Sequence, residues 1–206
     1  MIARTFLLIC LFLPPTLKAQ SDPWSGWQAD VLATLNTASD SEYLTEEEKK
    51  VILFMNMARH DGPLFTETFL QAYIQEKHIS NSSYLRSLLR DLKKTRRLGP
   101  LMPALDLTEV ARGHAIQSGK DGSTGHSGFN KRFEPLMGNP YTHVGENCSY
   151  GYQKAIDIVI SLLIDEGIRS LGHRQNILSP DFNAIGVAIR PHKNYGINCV
   201  MDFGSH

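Results

Sequence analysis

The sequence predicts an α+β domain, and three observations carry the prediction. Apolar residues recur at helical spacing through the first two thirds of the chain. Two late runs, Ala184 to Ile189 and Ile197 to Phe203, are rich in β-branched and aromatic residues. Pro191, Asn194 and Gly196 stand between those runs as hairpin punctuation. Helices first and a hairpin last imply helices covering a small antiparallel sheet. At 206 residues the chain has the length of one domain with an adequate core.

The first residues, MIARTFLLICLFLPPTLKAQ, hold a basic Arg4, an apolar run of eight from Phe6 to Leu13, two prolines and a small Ala19. That run suits the core of a secretory signal and falls short of the roughly 20 residues a membrane-spanning helix needs. Residues 1 to 19 are therefore expected to be a cleaved signal peptide, with the mature protein secreted or periplasmic and without an integral membrane segment. Cys10 sits inside the apolar run with no small residues directly before it, which argues against an acylated lipoprotein cysteine. The whole chain carries 21 basic and 21 acidic residues, and removing Arg4 and Lys18 leaves 19 against 21. A non-specific nucleic-acid binder needs a surplus of cations, so nucleic acid is not an expected partner.

Residues 20 to 44 form an acidic, loosely patterned lead-in. Thr45 followed by Glu46, Glu47 and Glu48 predicts a capped helix start with negative charge in the first turn. Val51, Phe54, Met55 and Ala58 continue at helical spacing until Asp61, Gly62 and Pro63 stop the pattern. Residues 64 to 98 read as two further helices broken near Ser80 to Ser83, the second with a stripe of Leu85, Leu88, Leu89 and Leu92. Opposite that stripe lie Arg86, Arg90, Lys93, Lys94, Arg96 and Arg97. They form a solvated face or a contact for an anionic glycan, lipid headgroup or partner. After a linker from Gly99 to Pro103, Leu107, Val110, Ala111, His114 and Ala115 predict an amphipathic helix ending at Gly119. His114 on that apolar stripe is expected to be a core residue bonded to backbone. Residues 122 to 139 read as a glycine-rich loop, and Ala155 to Ile164 as a largely buried helix.

Two cysteines remain in the mature chain, Cys148 and Cys199. An even pair in an oxidising compartment favours a disulfide, and two free buried thiols are the alternative. Closing a loop of about 50 residues would add on the order of 4 kcal/mol in the chain-entropy model.

Chemistry concentrates between Gly125 and Leu178, where GHSGF, VGEN, IDEG and LGHRQNIL follow one another. His126, Glu146, Glu166 and His173 supply two imidazoles and two carboxylates. These groups ligate zinc and its neighbours, and they also serve as general acids and bases. The same stretch can equally be a metal-free polar network that pins loops over the sheet.

With MNMAR at 55 to 59, the LDLTEVARGHA helix, GHS followed by Arg132, GEN, GHRQNIL, IGVAI and a terminal FG, the chain resembles the CAP superfamily. That family comprises cysteine-rich secretory proteins, antigen 5 and pathogenesis-related proteins, and the likeness is greatest to its bacterial secreted members. It covers about Thr45 to Gly204, so a CAP (SCP-like) domain is expected over residues 45 to 206 with a helical insertion at about 64 to 98, after the first helix.

The resemblance implies a three-layer α-β-α sandwich and a cleft in which His126, Glu146, Glu166 and His173 can hold zinc or another divalent metal. It also implies framework roles for Asn56, Arg59, Arg174 and Asn176. The first functional expectation is an extracellular binding or interaction module for a protein, glycan or lipid. A hydrolase is the alternative, plausibly a peptidase in which metal-bound water or Glu146 acts as base and His126 or His173 stabilises the developing charge, with Glu146 and Glu166 as candidate catalytic residues; a lipid or sterol binder is a third. The HExxH and GxSxG peptidase signatures are absent.

Overall fold

The computed structural model describes residues 22–206. The expected signal peptide, and Cys10 within it, lie outside the described residues. Helix α1 (Ala29–Leu35) occupies the lead-in and sends Leu35 into the core, as does Trp27 just before it. Helix α2 (Glu46–His60) starts as its sequence predicts, with a capping box. The Thr45 hydroxyl accepts from the Glu48 amide at 3.4 Å, and the Thr45 amide donates to the Glu48 carboxylate at 2.7 Å. Asp61 ends α2 and at once caps α3 (Gly62–Phe65), its carboxylate accepting from Leu64 N at 3.0 Å. A π-helical turn at Thr66–Leu70 leads into α4 (Gln71–Glu76), and Ser82 caps α5 (Ser83–Lys94).

Strand β1 (Met102–Pro103) lies in what reads from sequence as a linker. Helix α6 (Leu105–Asp121), ended by Gly122 in the left-handed region, and the short α7 (Phe129–Phe133) follow. Then come β2 (His143–Tyr150), α8 (Ala155–Ile164), α9 (Gly172–Leu178), β3 (Ala184–His192) and β4 (Gly196–Ser205). The sheet runs β1-β3-β4-β2; β1 pairs parallel with β3 and the other pairings are antiparallel. The α+β class and the helix-covered sheet are as expected, with one short parallel strand added.

Three layers result. Helix α6 covers one face of the sheet over Ala111, Ala115, Ala188 and Val200. Helices α2, α8 and α9 cover the other face, where Ile185, Val187, Met201 and Phe203 join the main core. The insertion packs outside that second layer, with α5 against α8. Buried polar side chains tie the layers together. Glu48 accepts from Ile189 N and Arg190, each at 2.8 Å. Asn56 bonds to the carbonyls of Leu35 and Leu101 and to the Leu101 amide. Arg59, 1% exposed, donates to the carbonyls of Gly99, Ile177, Ser179 and Phe182. These partners satisfy loop carbonyls that would otherwise be buried unpaired.

The expected Cys148–Cys199 disulfide is absent, and both thiols are free and buried. The register explains why. Cys148 stands opposite Val200, and Cys199 stands opposite Ser149. Side chains alternate between the faces of a strand, so a one-residue offset sends the two thiols to opposite faces. Cys148 packs under α6, while Cys199 belongs to the core on the far face. Their disulfide would have to pass through the sheet.

Candidate functional site

Strand β2 sends Glu146 and Cys148 to the α6 face, beside Asp202 of β4, which pairs with Glu146 across the ladder. Helix α6 contributes His114, the loop after it His126, and α7 Arg132. The Glu146 side chain is 1% exposed and fully engaged. Arg132 grips it with two bonds, NH1 to Oε2 at 2.7 Å and NH2 to Oε1 at 3.0 Å, and His126 Nδ1 donates to Oε1 at 2.8 Å. Burial alone would raise the Glu146 pKa, but the bonds from His126 and Arg132 outweigh it and bring it down to about 2. Asp202 moves the other way, because burial and then the Glu146 charge raise it well above its ordinary value.

His114 is buried, as its place on the α6 stripe suggests, with Nε2 on the Gly125 carbonyl at 2.8 Å. It also lies 3.9 Å from Glu146 Oε1. Among the described residues, His114, Glu146 and Cys148 form a group whose ligand atoms lie within 4.8 Å of one another and could hold a metal ion. The fit is constrained, since Arg132 already neutralises the carboxylate. Burial, and then the Glu146 charge, push the Cys148 thiol above its usual range.

The His173 half of the site comes from the turn between α8 and α9. Asp165 ends α8 in the left-handed region at φ 58°, a conformation that Asp tolerates better than most residues. There its carboxylate accepts from His173 Nδ1 at 2.7 Å, from His173 N at 3.1 Å and from Arg174 N at 3.3 Å. Arg174, 2% exposed, fastens α9 to the insertion through Tyr84 O, Ser87 Oγ and Asp91, and to α8 through Leu163 O and Ile164 O. Asn176 reaches the Glu146 carbonyl at 3.3 Å.

Of the four residues expected in the cleft, His126, Glu146 and His173 come together. The two imidazole rings face each other with centroids 6.5 Å apart. Glu166 is turned outward and accepts from Ser82 Oγ at 2.6 Å, with no hydrogen bond or ion pair to the other three. The carboxylate on His173 belongs to its chain neighbour Asp165. Sequence reasoning singled out the acid of IDEG at Glu166, although Asp165 stands beside it in the same motif and the helix end decides which of the two turns inward. Arg132 was visible only as part of the GHS pattern. Asp202 carried no signal, because its partner strand β2 was not evident.

The family model for cysteine-rich secretory proteins (CAP) matches residues 56–203. No curated protein matches the chain. Among solved structures, the chain is similar to an outer surface protein of Borrelia burgdorferi, at 18% identity over 62% of this chain and 96% of that one, with a TM-score of 0.45. It is similar to an SCP-domain extracellular protein of Bacillus anthracis at 19% identity over 59% of this chain and 40% of that one, with a TM-score of 0.44. It is also similar to venom allergen-like protein 4 of Schistosoma mansoni at 11% identity, covering 79% and 90% of the two chains, with a TM-score of 0.49.

Proposed function

Because the chain belongs to the cysteine-rich secretory protein (CAP) family, we propose that it is an extracellular binding module whose cleft holds a divalent metal ion between His126 and His173. One observation carries this reading: each imidazole has its Nδ1 held by a buried carboxylate, Glu146 at 2.8 Å and Asp165 at 2.7 Å. A carboxylate accepts, so Nδ1 carries the proton in both rings, and in the neutral imidazole, the form that ligates a metal, Nε2 keeps its lone pair. Among the described residues neither Nε2 has a hydrogen-bond partner. Carboxylate-braced imidazoles are the usual support of zinc-binding histidines, and the brace both fixes the ring and raises its basicity. The rings are also reachable, with side chains 47% and 21% exposed for His126 and His173.

In this arrangement Glu146 and Asp165 orient the ligands, and Arg132 holds Glu146 in place. The remaining positions on the ion are open to water or to a group of the extracellular ligand. Among the described residues no helix is long and apolar enough to cross a membrane. Secretion rests on the signal-like first residues.

The test is a thermal melt of the metal-stripped protein with and without zinc. Zinc at a hundred times its dissociation constant adds about 2.7 kcal/mol, so the wild-type midpoint should rise by roughly 5 to 10 °C. His126→Ala and His173→Ala should lose the rise, and Asp165→Asn should weaken zinc binding about 10- to 100-fold. An unchanged wild-type midpoint, or a rise that both alanine variants keep, overturns the reading.

Hydrolysis is the second reading, because an imidazole braced at Nδ1 is also shaped to act as a base at Nε2. It is the weaker one. The buried Cys148 thiol, kept protonated, is a poor nucleophile.

A further inference from the structure

The insertion and the end of α8 line a half-open cavity of about 450 Å³ whose lining includes neither His126 nor His173. Its apolar walls are Tyr73, Ile79, Tyr152 and Ile164. Tyr73 and Ile164 are buried, and Tyr152 stands exposed. Such a volume is in the range of a small-molecule site, and the mix of aromatic and aliphatic walls with a few polar groups is typical of one.

Charge chooses the ligand. The carboxylate on the wall is Glu166. Its Oε2 takes the Ser82 hydroxyl at 2.6 Å, and its Oε1 has no partner among the described residues. No arginine or lysine lines the cavity, and His78 is its basic side chain. The lysine next along the chain, Lys77, is held outside by Glu76 at 3.2 Å and Asp157 at 3.8 Å. Its ammonium stands 5.9 Å from the centroid of the Tyr73 ring, so a cation already sits over that aromatic side chain. Burial, and then the charge of Asp157, push the Tyr73 hydroxyl above its ordinary range. Glu166, Asp157 and Glu76 outnumber Lys77 and Arg86, whose guanidinium is held on the Asn81 carbonyl at 2.6 Å, and leave the neighbourhood net acidic.

We propose that this cavity is a binding site for a small organic cation, an amine on an aromatic or branched apolar body. The ammonium sits at Glu166, fixed by Ser82, and the body lies among Tyr73, Tyr152, Ile79 and Ile164. The insertion supplies Tyr73, Ile79 and Ser82, so this site is distinct from the metal cleft and does not depend on it. The turn from Asp165 to Glu166 gives one carboxylate to each.

The experiment is isothermal titration of the full chain, stripped of metal and kept in chelator, with three probes that share a body: phenethylammonium, 2-phenylethanol and 3-phenylpropionate. Phenethylammonium should bind at least tenfold more tightly than the alcohol, and the carboxylate should not bind measurably. E166Q should cost the ammonium at least tenfold and leave the alcohol unchanged. I79W, which fills the cavity, should abolish binding of both the ammonium and the alcohol. Glu166 is exposed, so E166Q is expected to fold, and an unaltered zinc response in that variant separates this test from the one on the cleft. Absence of phenethylammonium binding, equal binding of the three probes, or full affinity in E166Q overturns the proposal.

Discussion

Asp202 is fully buried beside Glu146, and neither of its carboxyl oxygens has a hydrogen-bond partner among the described residues. Two acids on one sheet face cannot both ionise cheaply, and Arg132 and His126 decide which does. Glu146 falls from 4.5 to about 2, so its contribution to stability is present above about pH 4.5 and is lost as pH falls toward 2. Asp202 is raised from 3.8, so its contribution is present below about pH 3.8 and is lost as pH rises through its elevated folded value. Asp202→Asn keeps the shape and removes the second loss. Urea midpoints should therefore place the variant above wild type at pH 7 to 8, with the difference closing toward pH 4; a variant less stable at every pH would refute this account. The same residues mark how far the site was legible. Imidazole and carboxylate types in short motifs pointed to His126, Glu146 and His173. Which acid braces His173 depends on the backbone at Asp165, and that torsion leaves no trace in composition or spacing.

Helix α6 lies close against the sheet because two glycines allow it. A Cβ on Gly186 would come within 2.1 Å of the backbone at Leu107 and Thr108, and one on Gly119 within 2.1 Å of the Pro191 carbonyl. Gly186→Ala should push α6 outward and cost about 3 kcal/mol, a fall of roughly 6 to 12 °C in melting midpoint. It should also loosen the Glu146 pocket, because His114 rides on the same helix; a midpoint within about 2 °C of wild type would show that the helix yields at almost no cost. Elements with strong periodicity or end signals were legible: the Thr45 cap, the Ala155–Ile164 helix and the late hairpin all appear as predicted. Strand β2 was not, because its centre holds polar Glu146, Asn147 and Ser149, all buried by packing on both faces, and so shows no apolar alternation. Strand β1 is two residues long and gains its place from β3 alone. Helix α1 hid in the lead-in because only a short segment of it reaches the core.

At the scale of the whole molecule, the fold is held by two apolar layers and by buried arginines that satisfy loop carbonyls, and among the described residues no covalent cross-link adds to them. Melting midpoints should accordingly be the same with and without a thiol reductant; a fall of several degrees on reduction would contradict the free thiols seen here. The insertion is part of this scaffold as well as an addition to it, since Arg174 ties α5 to the helix that carries His173. Free thiols on opposite sides of one sheet have a practical consequence. Cys148 becomes reachable to a thiol reagent when α6 lifts, and Cys199 only when the α2 and α8 layer comes away. Single-cysteine versions of the protein thus carry a clock for each side. Their labelling rates would tell whether this sandwich opens one slice at a time or all at once.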